Sequence, residues 1–311
     1  ILVDFEGTDP QVKGFINTSV VTATTASGIA CLWFLGSDIP RNGGAFGCID
    51  VNLPKGSLVN PYEPAPMTLC TLTPASEIIG TIFQALDQAI PGKVCAGYTR
   101  YAGPSYYGTD PRTGRYYVGF SFCSAGSGGA LSYSDGKPYM SPMSNFGGVK
   151  TPDIESNEAQ YPHITLYHEM ETDTAGAGEY RGGNGMRYAF ELYDDGSHIV
   201  NFGDGMKFAP YGLNGGHKGS LNKGFFIHRG ERIVMASKEA PREVAAGDVV
   251  ELHTCGGGGW GNPLDRAPEK VYEDYLDELI SRETAENVYG VIFNENGVDV
   301  SATKAKREQM Q

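Results

Sequence analysis

The 311-residue sequence lacks a long hydrophobic run and a block of basic residues. Its longest apolar stretch, Ile29 to Leu35, is far shorter than the roughly 20 residues of a membrane-spanning helix, and no basic segment followed by an apolar core opens the chain. The formal net charge is -13. Because nucleic-acid phosphates are bound by clustered Lys and Arg, this charge argues against a nucleic-acid partner. The sequence therefore predicts a cytoplasmic protein without a membrane anchor.

Paired cysteines and closely spaced metal ligands are also missing. The six cysteines lie far apart, without a CxxC pair, which favours buried reduced thiols. The six histidines form neither an HxH nor an HExxH motif, and His163 with His168 and Glu169 comes nearest to a ligand set. A metal site needs at least three convergent ligands. We therefore expect no complete metal site within this chain.

Glycine is the residue in excess, with 43 copies, beside 18 tyrosines and only 2 tryptophans. Glycine at this level without a collagen repeat indicates many tight turns and ordered loops. Short alternating strands separated by glycine turns indicate antiparallel sheets. The sequence predicts an α+β protein that is glycine-rich, has mainly antiparallel β-structure with a few helices, and ends in a helical tail.

Helical and strand patterns occupy different parts of the chain. Helices are predicted at Thr18 to Leu35, Pro74 to Ile90 and, after Pro263, at Pro268 to Ser281 and Arg282 to Tyr289. Strands are predicted at these short runs: Ile1 to Phe5, Val51 to Leu53, Gly56 to Val59, Tyr116 to Phe122, Ile164 to Tyr167, Arg187 to Leu192, His198 to Phe202, Phe225 to Ile227 and Val249 to Leu252. These patterns suggest an α/β core over residues 1–150, a β-rich domain over 151–265 and a helical tail over 266–311.

Two glycine runs are the most unusual segments. Gly256 to Gly259 precede Trp260, and Gly126 to Gly129 follow a predicted strand. Backbone amides exposed by such runs can cradle an anion, although glycine runs also make tight loops. Neither run has the strand, lysine and helix context of a P-loop. The candidate anion-binding residues are Gly126, Gly128, Gly129, Gly256, Gly257, Gly258 and Gly259.

Two polar residues are candidate catalytic partners of these runs. Arg181 lies in the sequence Arg-Gly-Gly-Asn-Gly, which offers one fixed cation amid flexible backbone and could clamp a carboxylate or phosphate. The alternative is an arginine that ties a turn to a nearby acidic residue. His217, in a second glycine-containing loop, is the other candidate.

Several segments, in order, resemble the hydantoinase B/oxoprolinase family. The resemblance begins at Asp4-Phe5-Glu6-Gly7-Thr8-Asp9-Pro10-Gln11 and continues through Asp38 to Gly44 and Pro54 to Pro61. It extends to Glu179 to Gly185, Tyr211 to Gly216, Ala246-Gly247-Asp248 and Thr254 to Arg266, and covers nearly the whole chain. The segments that match are those of the C-terminal part of the family, so the chain is expected to be that part or a split-off subunit.

The resemblance implies a multi-subunit enzyme that activates a small-molecule carbonyl substrate with ATP. It implies a hydantoinase A-like partner subunit that carries ATP, further subunits in a hetero-oligomer, and a divalent metal (Mg, Mn or Zn) held by another chain, without biotin. In hydrolases of this family a phosphorylated carbonyl leads to opening of a cyclic amide. In the ketone carboxylases it leads to an enol phosphate that is carboxylated.

Two departures favour the carboxylases. The family's hydrolases usually show a Gly-Asn-x-Glu-Thr-like turn where this sequence has Cys70 to Glu77, and a His-Met-Thr-Asn-like turn where it has Tyr139 to Asn145. The leading hypothesis is therefore a subunit of an ATP-dependent, biotin-independent ketone carboxylase of the acetophenone or acetone type. A cyclic amide hydrolase and a non-catalytic structural subunit are the alternatives. In the leading hypothesis the glycine runs, Arg181 and His217 line a cavity at the interface with the ATP-bearing subunit.

Overall fold

The computed structural model describes residues 1–36, 38–121, 126–140, 143 and 151–311. The chain divides into two compact units, one reaching from Ile1 to Val94 with Met143, the other containing the described residues from Cys95 onward apart from Met143. The predicted domain boundary near residue 150 does not coincide with this division. The end of the strand predicted to reach Phe122 and most of the Tyr139 to Asn145 turn lie outside the described residues.

The first unit contains two packed helices and a small sheet. Its elements are β1 (Leu2–Asp4), α1 (Val20–Trp33), α2 (Gly43–Phe46), β2 (Asp50–Asn52) and α3 (Thr73–Ala89), and β1 pairs with β2 in parallel. The Ser19 hydroxyl caps α1 by accepting a hydrogen bond from the Thr22 amide at 3.1 Å. Small residues on α1 allow close packing: a Cβ at Gly28 would lie 2.1 Å from the Phe46 ring. The apolar face of α3 is buried, as its helical spacing predicts.

The second unit is built on two antiparallel sheets. One sheet has the order β10-β7-β3-β4 and the other the order β5-β6-β11-β8-β9. The strands are β3 (Ala102–Thr109), β4 (Tyr116–Phe120), β5 (His163–Met170), β6 (Met186–Leu192), β7 (His198–Gly203), β8 (Lys223–His228), β9 (Glu231–Val234), β10 (Arg242–Glu243) and β11 (Asp248–His253), with helix α4 (Ile154–Gln160) before β5. Buried side chains of both sheets, among them Tyr106, Phe190, Ile199, Phe226 and Leu252, form one apolar cluster.

The chain ends in helices that belong to the same unit. A 3-10 turn at Pro263–Asp265 leads to α5 (Pro268–Leu276) and α6 (Arg282–Asn287), the hairpin of β12 (Phe293–Asn294) and β13 (Gly297–Val298), and α7 (Val300–Met310). Val271, Ile280, Tyr289 and Phe293 form a second apolar cluster with Ala177. No helix of the described part of the chain is long and apolar enough to cross a membrane.

The α+β class and most predicted elements are confirmed. The helices near 20–33, 73–89, 268–276 and 282–287 and the alternating strands are present. The predicted strand at Gly56 to Val59 is wrong, since those residues form turns. Strand β3 was not predicted, because Gly103 and Pro104 disfavour a strand locally, whereas pairing with β4 and β7 holds the segment extended.

Candidate functional site

The glycine runs lie inside the second unit, in a group of extended segments that we call the glycine bundle. It consists of residues 96–99, 126–130, 174–183, 210–219 and 255–260. In the central segment the amide of Gly257 donates to the carbonyl of Gly183, that of Gly258 to Gly97 and that of Gly259 to His217, at 2.9, 2.7 and 2.9 Å. Successive amides thus point to three different neighbours. This is the pattern of an extended helix with about three residues per turn, the polyproline II geometry.

Close approach of backbones explains why these positions are glycine. A Cβ would lie 2.0 Å from the Thr174 carbonyl oxygen at Gly256 and 2.0 Å from the Gly128 carbonyl oxygen at Gly257. At Gly258 and Gly259 it would lie 1.9 and 2.1 Å from the carbonyl oxygens of residues 211 and 177. Such distances are impossible for a real side chain, so the bundle can pack only with glycine at these four positions.

The amides of five of the seven predicted anion-binding glycines already have partners. Besides the three bonds of Gly257 to Gly259, the amide of Gly256 donates to the Ser220 hydroxyl at 3.0 Å and that of Gly128 to the Lys137 carbonyl at 2.8 Å. At Gly126 and Gly129 a Cβ would meet Thr99 and Ala96 at 1.6 and 2.0 Å. These contacts favour the structural alternative for both runs, and anion binding at them stays a prediction.

Arg181 is buried in an ion network of two arginines and two aspartates. Its Nε donates to Asp274 Oδ1 at 2.8 Å and its backbone amide to Asp135 Oδ1 at 2.8 Å. Arg266, which is 2% exposed, contacts Asp274 at 2.9 Å and both Asp135 oxygens at 2.8 Å. The four charges balance. The network fastens helix α5 and Asp135 to the glycine bundle at Arg181, which is the structural alternative given for this arginine.

The electrostatics of this network maintain its ionised form. Burial opposes the charge on Arg266, but the hydrogen bonds and charge of Asp135 raise the pKa of the guanidinium above its ordinary value. Burial likewise opposes the charge on Asp135, yet the hydrogen bonds of Arg266 leave the pKa of that carboxyl below its usual range. Two carboxylates and two guanidinium groups therefore share one largely buried site, in which Asp135 is the most exposed member.

His217 and Arg181 have different environments. The His217 side chain is exposed, whereas the Arg181 side chain is buried, and no hydrogen bond or ion pair joins the two among the residues described. What His217 contributes to the bundle is its backbone, whose amide donates to Ala177 and whose carbonyl accepts from Gly259. This arrangement does not bring the two side chains together, and a joint catalytic role for them stays a prediction.

A polar cluster that the sequence analysis did not single out surrounds His253. Its Nδ1 lies 2.9 Å from Glu171 Oε1 and its Nε2 lies 2.8 Å from Glu251 Oε1. Arg232 pairs with Glu251 at 3.1 Å. The hydrogen bond to Glu171 and then that to Glu251 raise the pKa of His253 above its ordinary 6.5, although burial opposes this. The protonated histidine joins β11 to the turn that follows β5.

Stability should depend on the protonation of His253. Folding raises the pKa of His253. Its contribution to the free energy of unfolding is therefore complete below pH 6.5 and is lost as the pH rises through the pKa of the folded state. We expect unfolding free energy to fall by about 1–2 kcal/mol across that interval, as for a hydrogen bond between charged groups. Urea denaturation at a series of pH values measures it. His253→Gln should flatten the profile above pH 6.5, and an unchanged slope in that variant would rule out His253 as the cause.

Metal ligands do not converge within the described residues. No group of three or more His, Cys, Asp or Glu side chains there could hold an ion. His163 accepts or donates a hydrogen bond with Asn157 at 3.0 Å, and His168 contacts the Tyr139 hydroxyl at 3.1 Å. The residues present therefore do not fit a divalent metal, and its location on another chain remains an expectation.

Comparison with known proteins identifies the class to which this fold belongs. The hydantoinase B/oxoprolinase family model matches residues 1–263. The chain therefore belongs to the hydantoinase B/oxoprolinase family, as its ordered motifs predict.

Particular relatives include components of enzyme complexes. The chain is 34% identical to the beta subunit of caprolactamase from Pseudomonas jessenii over 96% of its own length and 53% of that protein. It is 24% identical to the delta subunit of acetophenone carboxylase from Aromatoleum aromaticum, over 99% of this chain and 50% of that one. The chain thus spans about half the length of the curated relatives it matches.

Two solved structures have the same fold. The crystal structure of ATP-dependent caprolactamase from Pseudomonas jessenii superimposes with a TM-score of 0.85 at 30% identity, over 99% of this chain and 54% of that one. Nucleotide-free acetone carboxylase superimposes with the same TM-score, 0.85, at 21% identity, over 99% of this chain and 46% of that one. The second likeness concerns the fold alone.

Proposed function

We propose that this chain is a subunit of an ATP-dependent complex that opens cyclic amides. In the proposed reaction one ring C–N bond is hydrolysed to a carboxylate and an amine, while ATP is converted to ADP and phosphate. Phosphorylation of the amide oxygen makes the carbonyl carbon more electrophilic, so that water can attack it. The observation that carries the proposal is the 34% identity to a caprolactamase component across 96% of the chain, supported by 29% identity to a component of a putative D-/L-hydantoinase.

Within such a complex we assign to this chain a rigid scaffold rather than the nucleotide site. The glycine bundle and the arginine–aspartate network hold the sheets and the C-terminal helices together without a flexible loop at the network. A hydantoinase A-like partner subunit would bind ATP, and a divalent metal would lie outside the described residues. Biotin has no place in the proposed reaction.

A ketone carboxylase is the second candidate. It is favoured by the two sequence departures, at Cys70 to Glu77 and Tyr139 to Asn145, and by the likeness to the delta subunit of acetophenone carboxylase. We propose ring opening first because the identity to the caprolactamase component is higher, whereas the sequence alone favours the carboxylase.

The assembled complex decides between the two reactions. With caprolactam, hydantoin or 5-oxoproline and ATP, we expect ring opening with release of about one phosphate per ring opened. A non-hydrolysable ATP analogue should abolish it. Fixation of labelled bicarbonate into acetone or acetophenone, with no ring opening, would establish the carboxylase instead. Full activity of a complex assembled without this chain would contradict both.

A further inference from the structure

A cavity of 720 Å³ opens in the second unit, and its lining residues are different from those of the glycine runs and the ion network. Three segments form its walls, residues 204–208, 222–225 and 234–237. Its size lies within the range of about 300–1,000 Å³ that small-molecule sites occupy. No function proposed so far for this chain uses it.

The walls are fixed to one another by hydrogen bonds. The Gly203 amide donates to the Ser237 carbonyl at 2.7 Å, the Asn222 amide to Gly205 at 3.0 Å and the Met235 amide to Gly224 at 2.9 Å. Asn222 also contacts the bundle, where its side-chain oxygen accepts a hydrogen bond from the Cys255 amide at 2.5 Å. The cavity is therefore a built feature of the fold rather than a gap between loose loops.

Apolar side chains dominate the lining, and two of them are unusually exposed. Phe208 is 84% exposed and Val234 is 72% exposed, while Met206, Phe225 and Met235 contribute further apolar surface. Large apolar groups left in water beside a cavity indicate a surface that a ligand covers.

The charge of the lining is positive, in contrast to the net charge of -13 on the chain. Lys207 and Lys223 line the cavity and form no ion pair within the described part of the chain. The single acidic lining residue, Asp204, is neutralised by Lys238 at 2.7 Å. Two cations therefore remain for a ligand, and they are compact charges suited to a carboxylate.

We propose that this cavity binds a small amphipathic acid. The carboxylate faces Lys207 and Lys223, and an aliphatic or aromatic body covers Met206, Phe208 and Val234. The proposal is independent of the reaction that the complex catalyses, because it rests only on the shape, apolar lining and charge of the cavity.

Calorimetric titration of the full chain with octanoate and with 1-octanol tests the proposal. We expect saturable binding of octanoate at one site, with a dissociation constant on the order of 0.1–1 mM for so small a ligand. Octanol should bind about tenfold more weakly, because two partly exposed charge interactions are lost. Added salt should weaken the binding of octanoate but not that of octanol.

Variants separate the charge from the apolar walls. Lys207→Gln with Lys223→Gln should remove the preference for the acid, whereas Phe208→Ala with Val234→Ser should weaken both ligands by roughly tenfold. Lys218→Gln, an exposed lysine outside the lining, is the matched control and should change neither. The substituted positions are all exposed, and thermal melting confirms that the variants are folded.

Two results would overturn the proposal. The first is octanoate binding that is absent, or that neither pair of substitutions changes. The second is loss of association with the partner subunits in the wall variant while ligand binding is unchanged, which would make the cavity an interface within the complex.

Discussion

Replacing Arg266 by methionine is expected to lower the free energy of unfolding by about 3–5 kcal/mol. Methionine keeps most of the side-chain volume but leaves Asp135 and Asp274 without the cation that contacts both. Because Arg266 and the Asp274 carboxylate are 2% and 7% exposed, water has little access to replace the hydrogen bond between them. Equilibrium unfolding in urea, followed by circular dichroism, measures the change.

The matched control is Arg232→Met. Arg232 also pairs with a carboxylate, that of Glu251, but its side chain is 53% exposed, so the expected loss is below about 1 kcal/mol. Equal losses in the two variants would show that burial does not determine the contribution of Arg266.

Arg181→Met tests the alternative roles of Arg181. If the arginine is structural, the variant loses about 2–4 kcal/mol of stability and the folded complex keeps its turnover, since Arg266 still neutralises part of Asp274. If it stabilises an anionic intermediate, turnover falls by roughly a hundredfold in a complex that assembles normally. Steady-state rates per assembled complex distinguish these results.

Gly257→Ala is expected to be among the most destabilising additions of a single methyl group in the second unit. The added Cβ would lie 2.0 Å from the Gly128 carbonyl oxygen, and its other near neighbours are backbone too. Relief would require segments 126–130 and 255–260 to separate, which breaks the hydrogen bond from the Ala130 amide to the Gly258 carbonyl. We expect a loss above about 4 kcal/mol, or no folded protein at all.

Gly203→Ala is the control for the loss of glycine itself. A Cβ at Gly203 would meet its nearest neighbour, Met206, at 3.6 Å, which is ordinary contact. The free energy of unfolding of this variant should lie within about 1 kcal/mol of that of the natural chain. A stable, soluble Gly257→Ala protein would contradict the close packing of the bundle.

Much of the fold could be predicted from local patterns in the sequence. Helix α3 could be predicted because its apolar residues recur at helical spacing and Pro74 marks its first turn. Strands such as β6 and β11 could be predicted from short apolar runs between glycine turns. The family could be identified because its motifs occur in order along the chain.

The role of the unusual residues could not be predicted, because it depends on contacts between distant segments. Arg181 was recognised as a fixed cation, but its partner Asp274 lies 93 residues away. Asp135 lies 131 residues from Arg266, and nothing in the local sequence joins them. The glycine run at 256–259 is unusual in the sequence, but its neighbours come from four other parts of the chain. A sequence pattern can show that glycine is needed, but it does not show which backbone approaches.

Amide hydrogen exchange of the peptide that covers Gly256 to Trp260 tests most directly whether the glycine bundle is a packed core. The account predicts that these amides exchange only when the whole second unit unfolds, because each donates a hydrogen bond to a partner within that unit. Addition of phosphate or ATP with magnesium should leave the rate unchanged. Rapid exchange in the free protein that slows on adding either anion would contradict the account and restore the anion loop predicted from the sequence.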